Sequence, residues 1–398
     1  AVLHRQMARV ILFHVSPLCA QFRRQLTSVA LALPAQLAVP YRPAFTLFGI
    51  PPEQHIHQLG RPAPHPVQPP APAAGGERLI RPDHRQNHGP HHTRHTGQQQ
   101  RRQQAAQTVQ GLIYAHHGLP SVVPEDLATR YSHPQTLVEL LQQSVGEEQI
   151  EAFLRADNEI AATCLQVNTL LSDAQEAEQA LTQLGIAFEK HPWLDGCYLV
   201  RGTGNLAQLE LFSSGKVYVQ DPSARLAAMA AGAKPGMRVL DCCAAPGGKS
   251  FAAAIAMQNE GSVTSCDIHA HKVSLIEKGA ARLGVSIVHA RQADASQFEP
   301  EFEAGFDVVI ADVPCSGLGV IRKKPDIRYK DLAPMQKLPQ VQAAILENVS
   351  RYVKPGGVMV YSTCTVLKRE NENVANAFLA RHPEFRLEVF ALPAGLDA

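Results

Sequence analysis

The stretch Val239-Leu-Asp-Cys-Cys-Ala-Ala-Pro-Gly-Gly-Lys-Ser250 constrains this chain more than any other. Two branched apolar residues run into an acid, then small residues, then a glycine pair ahead of an alanine-rich helical pattern. That order marks a buried parallel strand ending in a tight turn at a helix N-terminus. Ligands of open α/β sheets sit in the crevice formed by such turns. Two phosphate-binding readings fail here. A P-loop needs glycine six residues before the lysine of Gly-Lys-Ser, and Cys243 stands at that place. The pattern G-x-G-x-x-G is also missing, since the turn holds only Gly247 and Gly248. A nucleoside without phosphates, such as S-adenosylmethionine, suits the turn better, and a purely structural turn stays open.

From Pro235 onward strands and helices alternate. The patterns give strands at 238–242, 262–266, 287–290, 307–311 and 358–362, with helical stretches between them that include 272–283 and 340–352. Residues 354–357 read as the turn feeding the fifth strand, 370–381 as a further helix and 385–390 as a further strand. The fold class is therefore α/β, a doubly wound, Rossmann-like parallel sheet. Upstream, 136–154 carries Leu137, Leu140, Leu141, Val145, Ile150, Phe153 and Leu154 at helical spacing. A strand at 164–168, a helix at 173–184 stopped by Gly185, and strands at 187–190, 197–200 and 217–220 then make a small α+β unit. It is either a packing domain or one that presents a substrate.

The chemistry gathers at the strand ends. Asp267 closes the second strand, where an acid takes both ribose hydroxyls of a nucleoside, or else caps the next helix. Asp294 closes the third and suits an adenine amine, with a cap or loop role equally open. Asp312-Val-Pro-Cys-Ser-Gly-Leu-Gly319 follows the fourth strand and Tyr361-Ser-Thr-Cys-Thr365 the fifth, so Asp312, Cys315 and Cys364 reach one edge. Any single cysteine reads first as core filler. Two of them beside an acid and a nucleoside cradle fit methylation of a base at carbon. A thiolate adding to C6 of cytosine makes C5 nucleophilic, an acid near N3 and the exocyclic amine steadies the adduct, and a second thiol assists release. The base must be unstacked to enter. Arg322, Lys323, Lys324 and Arg328 follow the Asp312 loop as candidate phosphate contacts, a solvated loop being the plainer alternative.

Composition matters mainly for the first region. The 398 residues suffice for two or three domains, and the net charge is +1. Residues 1–118, however, hold 12 arginines, no lysine and 3 acids, with 12 of the 18 histidines and 14 of the 29 prolines. Such a segment buries too little apolar surface to offset chain entropy, so disorder is expected. A basic arm for RNA, a signal broken by Pro34, or out-of-frame sequence are the other readings. The 8 cysteines include no C-x-x-C pair, so no zinc site or disulfide framework is expected and a reducing cytoplasm fits. No apolar run spans a bilayer. A monomer without a metal or a membrane partner is the expectation.

With these residues in view, 241–249, 312–319 and 361–365 resemble the RNA 5-methylcytosine methyltransferases of the RsmB/NOP family. Arg130-Tyr-Ser-His-Pro134, Val167-Asn-Thr169 and Val219-Gln-Asp-Pro-Ser223 further resemble its bacterial RsmB (Sun/Fmu) branch, which modifies small-subunit ribosomal RNA. The likeness covers about 129–392. It implies that Cys243, Ala244, Ala245, Pro246, Gly247, Gly248, Lys249, Asp267, Asp294 and Asp312 bind S-adenosylmethionine. It implies too that Cys364 is the nucleophile and Cys315 the release residue. The expected division is an atypical region at 1–118, a helical linker at 119–154, an RNA-binding α+β subdomain at 155–225 and a catalytic domain at 226–398. Two departures stand out. Residues 1–118 lack the helical pattern of the family's NusB-like domain, and no Gly-Phe-Phe strand follows Phe390, so a sheet short of its final strand is expected. A nucleotide-dependent dehydrogenase or NTPase, a methyltransferase of another RNA, and a non-catalytic RNA-binding protein remain as rivals.

Overall fold

The computed structural model describes residues 7–14 and 124–390. The chain begins with β1 (Ala8–His14), then three helices, α1 (Leu127–Tyr131), α2 (Gln135–Val145) and α3 (Glu147–Asp157). A small unit follows with β2 (Thr163–Val167), α4 (Ala174–Gln183), β3 (Ala187–Lys190), β4 (Cys197–Arg201), α5 (Glu210–Ser213) and β5 (Val217–Val219). Then come α6 (Pro222–Ala230), β6 (Arg238–Asp241), α7 (Gly248–Ala256), β7 (Ser262–Asp267), α8 (Ala270–Leu283), β8 (Val288–Gln292) and β9 (Phe306–Asp312). The last elements are α9 (Leu338–Val349), β10 (Val353–Thr363), α10 (Glu372–Arg381) and β11 (Phe385–Leu387).

Among the described residues, seven parallel strands make the main sheet, in the order β11-β1-β10-β9-β6-β7-β8. Side chains alternate across it, as a strand buried on both faces requires. Val239, Val308, Ile310, Val358 and Val360 enter the core with α6, α7 and α8. Leu240, Val309, Ala311, Met359 and Tyr361 enter the opposite core with α9 and α10. The chain runs outward from β6 through β7 to β8 and then returns to β9, so strand order reverses between β6 and β9. The crevice after those two strands is the topological switch point.

The small unit is an antiparallel sheet, β3-β4-β2-β5, with Leu165, Val167, Tyr198 and Val200 packed against Ala177 and Leu181 of α4. The expected single helix over 136–154 is two helices. Gly146, at φ +90°, breaks the chain between α2 and α3, and α3 runs on to Asp157. Tyr131, Leu141, Phe153 and Leu154 of this helical group pack on Leu318, inside the first cysteine motif, and on Ile321, Val366 and Leu367, just beyond the two motifs. It is thus a brace for those loops rather than only a linker. The expected turn at 354–357 lies inside β10, whose pairing with β9 shifts register between Val353 and Val358. Only Phe385–Leu387 of the expected 385–390 strand pairs.

The largest correction concerns 1–118. Ala8–His14 is a sheet strand paired in parallel with both β10 and β11, where an incomplete sheet was expected. Val10, fully buried, joins the α9–α10 core, and Ile11 joins the opposite one. The apolar run Ala-Arg-Val-Ile-Leu-Phe has the strand composition that the surrounding His, Pro and Gln obscure. The readings of residues 15–118 fall outside the described residues.

Candidate active site

The ends of three neighbouring strands, β6, β9 and β10, carry the acids and thiols. β6 ends on Asp241, and the chain turns at Gly247 (φ +108°) into α7. A side chain at Gly247 would collide with the Phe251 ring, its Cβ falling 2.3 Å from Cζ, so only glycine permits this entry. Asp241 is fully buried. Ser250 donates from Oγ to its Oδ2 at 2.7 Å, and Ser265 donates onward to Ser250 at 2.8 Å. Burial pushes its carboxyl up to about 7, with Asp312 adding to the rise and Ser250 and Lys249 opposing it.

β9 ends on Asp312. Its Oδ2 accepts from Lys249 Nζ at 2.6 Å and its Oδ1 from Ser362 Oγ at 2.7 Å, so the first turn of α7 and the end of β10 together hold one carboxylate. Burial works against the Lys249 charge, but the carboxylate of Asp312 overrides it and the ammonium is held above its usual range.

Cys315 and Cys364 face each other with their sulfurs 2.9 Å apart, and the Cys364 amide donates to the Cys315 sulfur at 3.2 Å. The pair shares its protons unequally. The hydrogen bond from Cys315 lowers Cys364, against burial, with Lys249 and Lys324 adding to the lowering. The same contact, with burial, holds Cys315 well above the thiol range. The contact thus favours negative charge on Cys364 over Cys315.

A buried polar scaffold fixes both loops. Glu370 Oε2 accepts from the Ser316 amide and from Gln342 Nε2, each at 2.9 Å, while Gln342 also donates to Pro314 O at 3.0 Å. Ser316 Oγ donates to Thr365 Oγ1 at 2.7 Å, and Asn371 Nδ2 donates to the carbonyls of Thr365 and Leu367. The two cysteine loops are thus bonded to each other and to one acid.

The description "16S rRNA methyltransferase RsmB/F" matches residues 228–397, and an RsmF/B-like ferredoxin-like domain matches 133–205. Over these two segments the chain is similar to the RsmB/F methyltransferases. A probable ribosomal RNA small subunit methyltransferase B of Bacillus subtilis is 42% identical over 262 residues, which cover 65% of this chain and 58% of that protein. The corresponding protein of Klebsiella pneumoniae is 35% identical over 272 residues, or 67% and 61% of the two chains. The chain thus spans about three fifths of the length of these relatives. A methyltransferase homologue from Pyrococcus horikoshii superposes with a TM-score of 0.57 at 27% identity, covering 66% of this chain and 83% of that one.

The residues expected at the site do not all gather in one place. Ala244, Ala245, Pro246, Gly248, Lys249 and Asp312 line one cleft together with Asp241. Asp267 and Asp294 stand outside that cleft at neighbouring strand ends. One oxygen of each is spent locally: Asp267 Oδ1 accepts from the His269 amide at 3.0 Å, and Asp294 Oδ1 from the amide and hydroxyl of Ser296. Cys243 packs against the α9–α10 core. The basic set divides. Lys324 is exposed, Arg322 reaches Glu159 at 3.4 Å and Lys323 pairs with Asp221. Burial also pulls Lys323 below the usual lysine range. Arg328 is a correction: it is 6% exposed and donates to the carbonyls of Ser132 and Asp157, so it ties the loop to the helical brace instead of facing solvent. Asp241, Ser362, Gln342, Glu370 and Asn371 were not singled out in the sequence. The dense polar run Lys-Arg-Glu-Asn-Glu-Asn at 368–373 was the available signal for the last two.

Proposed function

We propose that this chain transfers a methyl group from S-adenosylmethionine to C5 of a cytosine in small-subunit ribosomal RNA. The observation that carries the reading is the 2.9 Å thiol pair set on the same sheet edge as the doubly held Asp312. The cleft beside it fits the cofactor: a glycine turn allows close approach, and buried polar atoms of Asp241 and Gln220 lack partners among the described residues. Ala244 to Lys249, with Asp267 and Asp294, would hold it. When bound, it supplies an electrophilic methyl carried on a sulfonium.

The protein's own groups supply the rest. Cys364, held as thiolate by Cys315, Lys249 and Lys324, adds to C6 of the base, and the displaced ring electrons make C5 nucleophilic. Asp312, fixed by Lys249 and Ser362, receives the exocyclic amine and keeps the ring in register. After C5 is methylated its proton leaves to a base or water, the C5–C6 double bond re-forms, and the C6–S electron pair returns to Cys364. The Cys315 S–H hydrogen-bonds that departing sulfur and lowers the cost of release. Lys324, exposed beside this loop, and Arg322 and Lys323 contribute phosphate contacts. The small unit over 155–225 presents the RNA.

The test is transfer of labelled methyl to small-subunit ribosomal RNA followed by nucleoside analysis. Labelled 5-methylcytidine is the expected product. Label in any other nucleoside, or none from a preparation that binds S-adenosylmethionine and the RNA, would overturn the reading.

A further inference from the structure

Gln220 is a buried carboxamide that no described residue satisfies. It is 6% exposed, yet neither its Nε2 nor its Oε1 has a hydrogen-bond partner among the described residues. Leaving such a group dry is costly, so native structures rarely do so without a reason. Its main chain is clamped to the small unit: the amide donates to Cys164 O at 3.2 Å, and the carbonyl accepts from Gln166 Nε2 at 2.9 Å. Gln166 in turn receives Arg225 at 2.5 Å. With its backbone fixed on β2, the side chain enters the cleft of Asp241, Gly248 and Lys249. There it lies over the first residue of α7, Nε2 being 3.4 Å from where a Cβ on Gly248 would sit.

The remaining groups of the cleft indicate what the carboxamide meets. No side chain caps the N-terminus of α7, so its first amides are open to an anion. Asp241 Oδ1 is also buried without a hydrogen-bond partner among the described residues and suits a cation. An acid, a helix N-terminus and an amide that both donates and accepts are complementary to a zwitterion. The cleft measures about 190 Å³, below the roughly 300 Å³ at which whole small-molecule sites begin. It therefore takes one end of a cofactor whose ribose lies toward Asp267, outside it.

We propose that Gln220 is a cofactor-contacting residue whose carboxamide holds the α-amino and α-carboxylate groups of S-adenosylmethionine over the N-terminus of α7. The contact comes from the segment that leaves the small unit, so binding the cofactor also ties that unit to the catalytic sheet. The inference rests on the cofactor of the proposed function and is independent of which base is methylated.

The experiment is calorimetry on the full chain with S-adenosylhomocysteine and with 5′-methylthioadenosine, which shares the nucleoside thioether but lacks the amino-acid end. Gln220→Met should weaken S-adenosylhomocysteine about tenfold, equivalent to about 1.4 kcal/mol, and leave methylthioadenosine unchanged. Gln220→Glu, which faces the carboxylate with a like charge, should weaken only the first ligand as well. Removing an unsatisfied polar group should leave the ligand-free Met variant at least as stable as the parent, whereas a structural role for Gln220 would destabilise it. Unchanged homocysteine-ligand affinity, or equal losses for both ligands, would overturn the assignment. An unmodified protein that binds no S-adenosylhomocysteine would overturn both it and the cofactor. One that binds it but fails to methylate cytosine would leave the assignment standing.

Discussion

Two sulfurs 2.9 Å apart at the edge of a buried sheet cannot both keep a negative charge, so one thiol must serve the other. The hydrogen bond from Cys315 favours charge on Cys364, with Lys249 and Lys324 adding to it against burial and Asp312. Cys364→Ala should therefore abolish methyl transfer, with S-adenosylmethionine binding retained in calorimetry; normal turnover would remove Cys364 from the reaction. Cys315→Ala should instead trap a denaturant-resistant protein–RNA adduct, visible as a shifted gel band, and a clean lane would count against a release role. Asp241 gives a second prediction. Its carboxyl sits near 7 in the fold and near 4 in the unfolded chain, so between these values the native state holds the extra proton. Stability accordingly falls as pH rises from about 4 to about 7 and stays lower above. In Asp241→Asn the drop in urea midpoint between pH 5 and pH 8 should shrink, and an identical drop would assign it elsewhere. Asp312, Cys315 and Cys364 were legible because each follows an apolar strand run within a few residues. Glu370, Gln342 and Gln220 were not, because their meaning depends on partners 28 or more residues away.

Elements were legible where period and length agreed and illegible where a single residue overrode them. The strands ending at the site are short branched runs between turn residues, and β6, β7 and β9 fall where the pattern puts them. Gly146 supplies only one local break in an apolar repeat that continues across it, so α2 and α3 read as one helix. β1 is the deeper failure. Seven residues in a stretch dominated by arginine, histidine and proline become a strand because β10 and β11 leave a gap that accepts them, and no local signal reports a gap. Its contribution is measurable. Val10 is fully buried against the α9–α10 core, so Val10→Asp would place an unpaired charge there and should cost more than about 3 kcal/mol in denaturant unfolding. Met7→Asp, at an exposed neighbour, should change stability by less than about 0.5 kcal/mol. Equal, small effects at both positions would mean that the sheet does not depend on β1.

At the scale of the whole described unit, the small α+β sheet is joined to the catalytic sheet by bonds that surround the site and reach its rim at Asp221. Asn168, fully buried, donates from Nδ2 to Gly215 O at 3.0 Å within the small unit and to Leu283 O at 2.8 Å, the last residue of α8. Arg282 returns the connection, donating to the carbonyls of Phe212 and Val217 and lying 4.0 Å from the Phe212 ring centroid. Lys323–Asp221 closes the joint on the side of the cysteine loops. A substrate held by one unit and converted by the other needs this joint rigid, since a displacement of about 1 Å costs catalysis heavily. Asn168→Ala leaves two buried carbonyls short of a donor, each worth about 1–3 kcal/mol, without touching any group proposed to meet cofactor or base. The expected outcome is a lower urea midpoint, S-adenosylmethionine affinity within twofold of the parent, and a methyl-transfer rate that falls further than the folded fraction does. A rate that simply tracks the folded fraction would reduce the joint to a stabilising contact. Loss of cofactor affinity in the same variant would place the coupling closer to the cleft, on the path from β2 through Gln166 and Gln220.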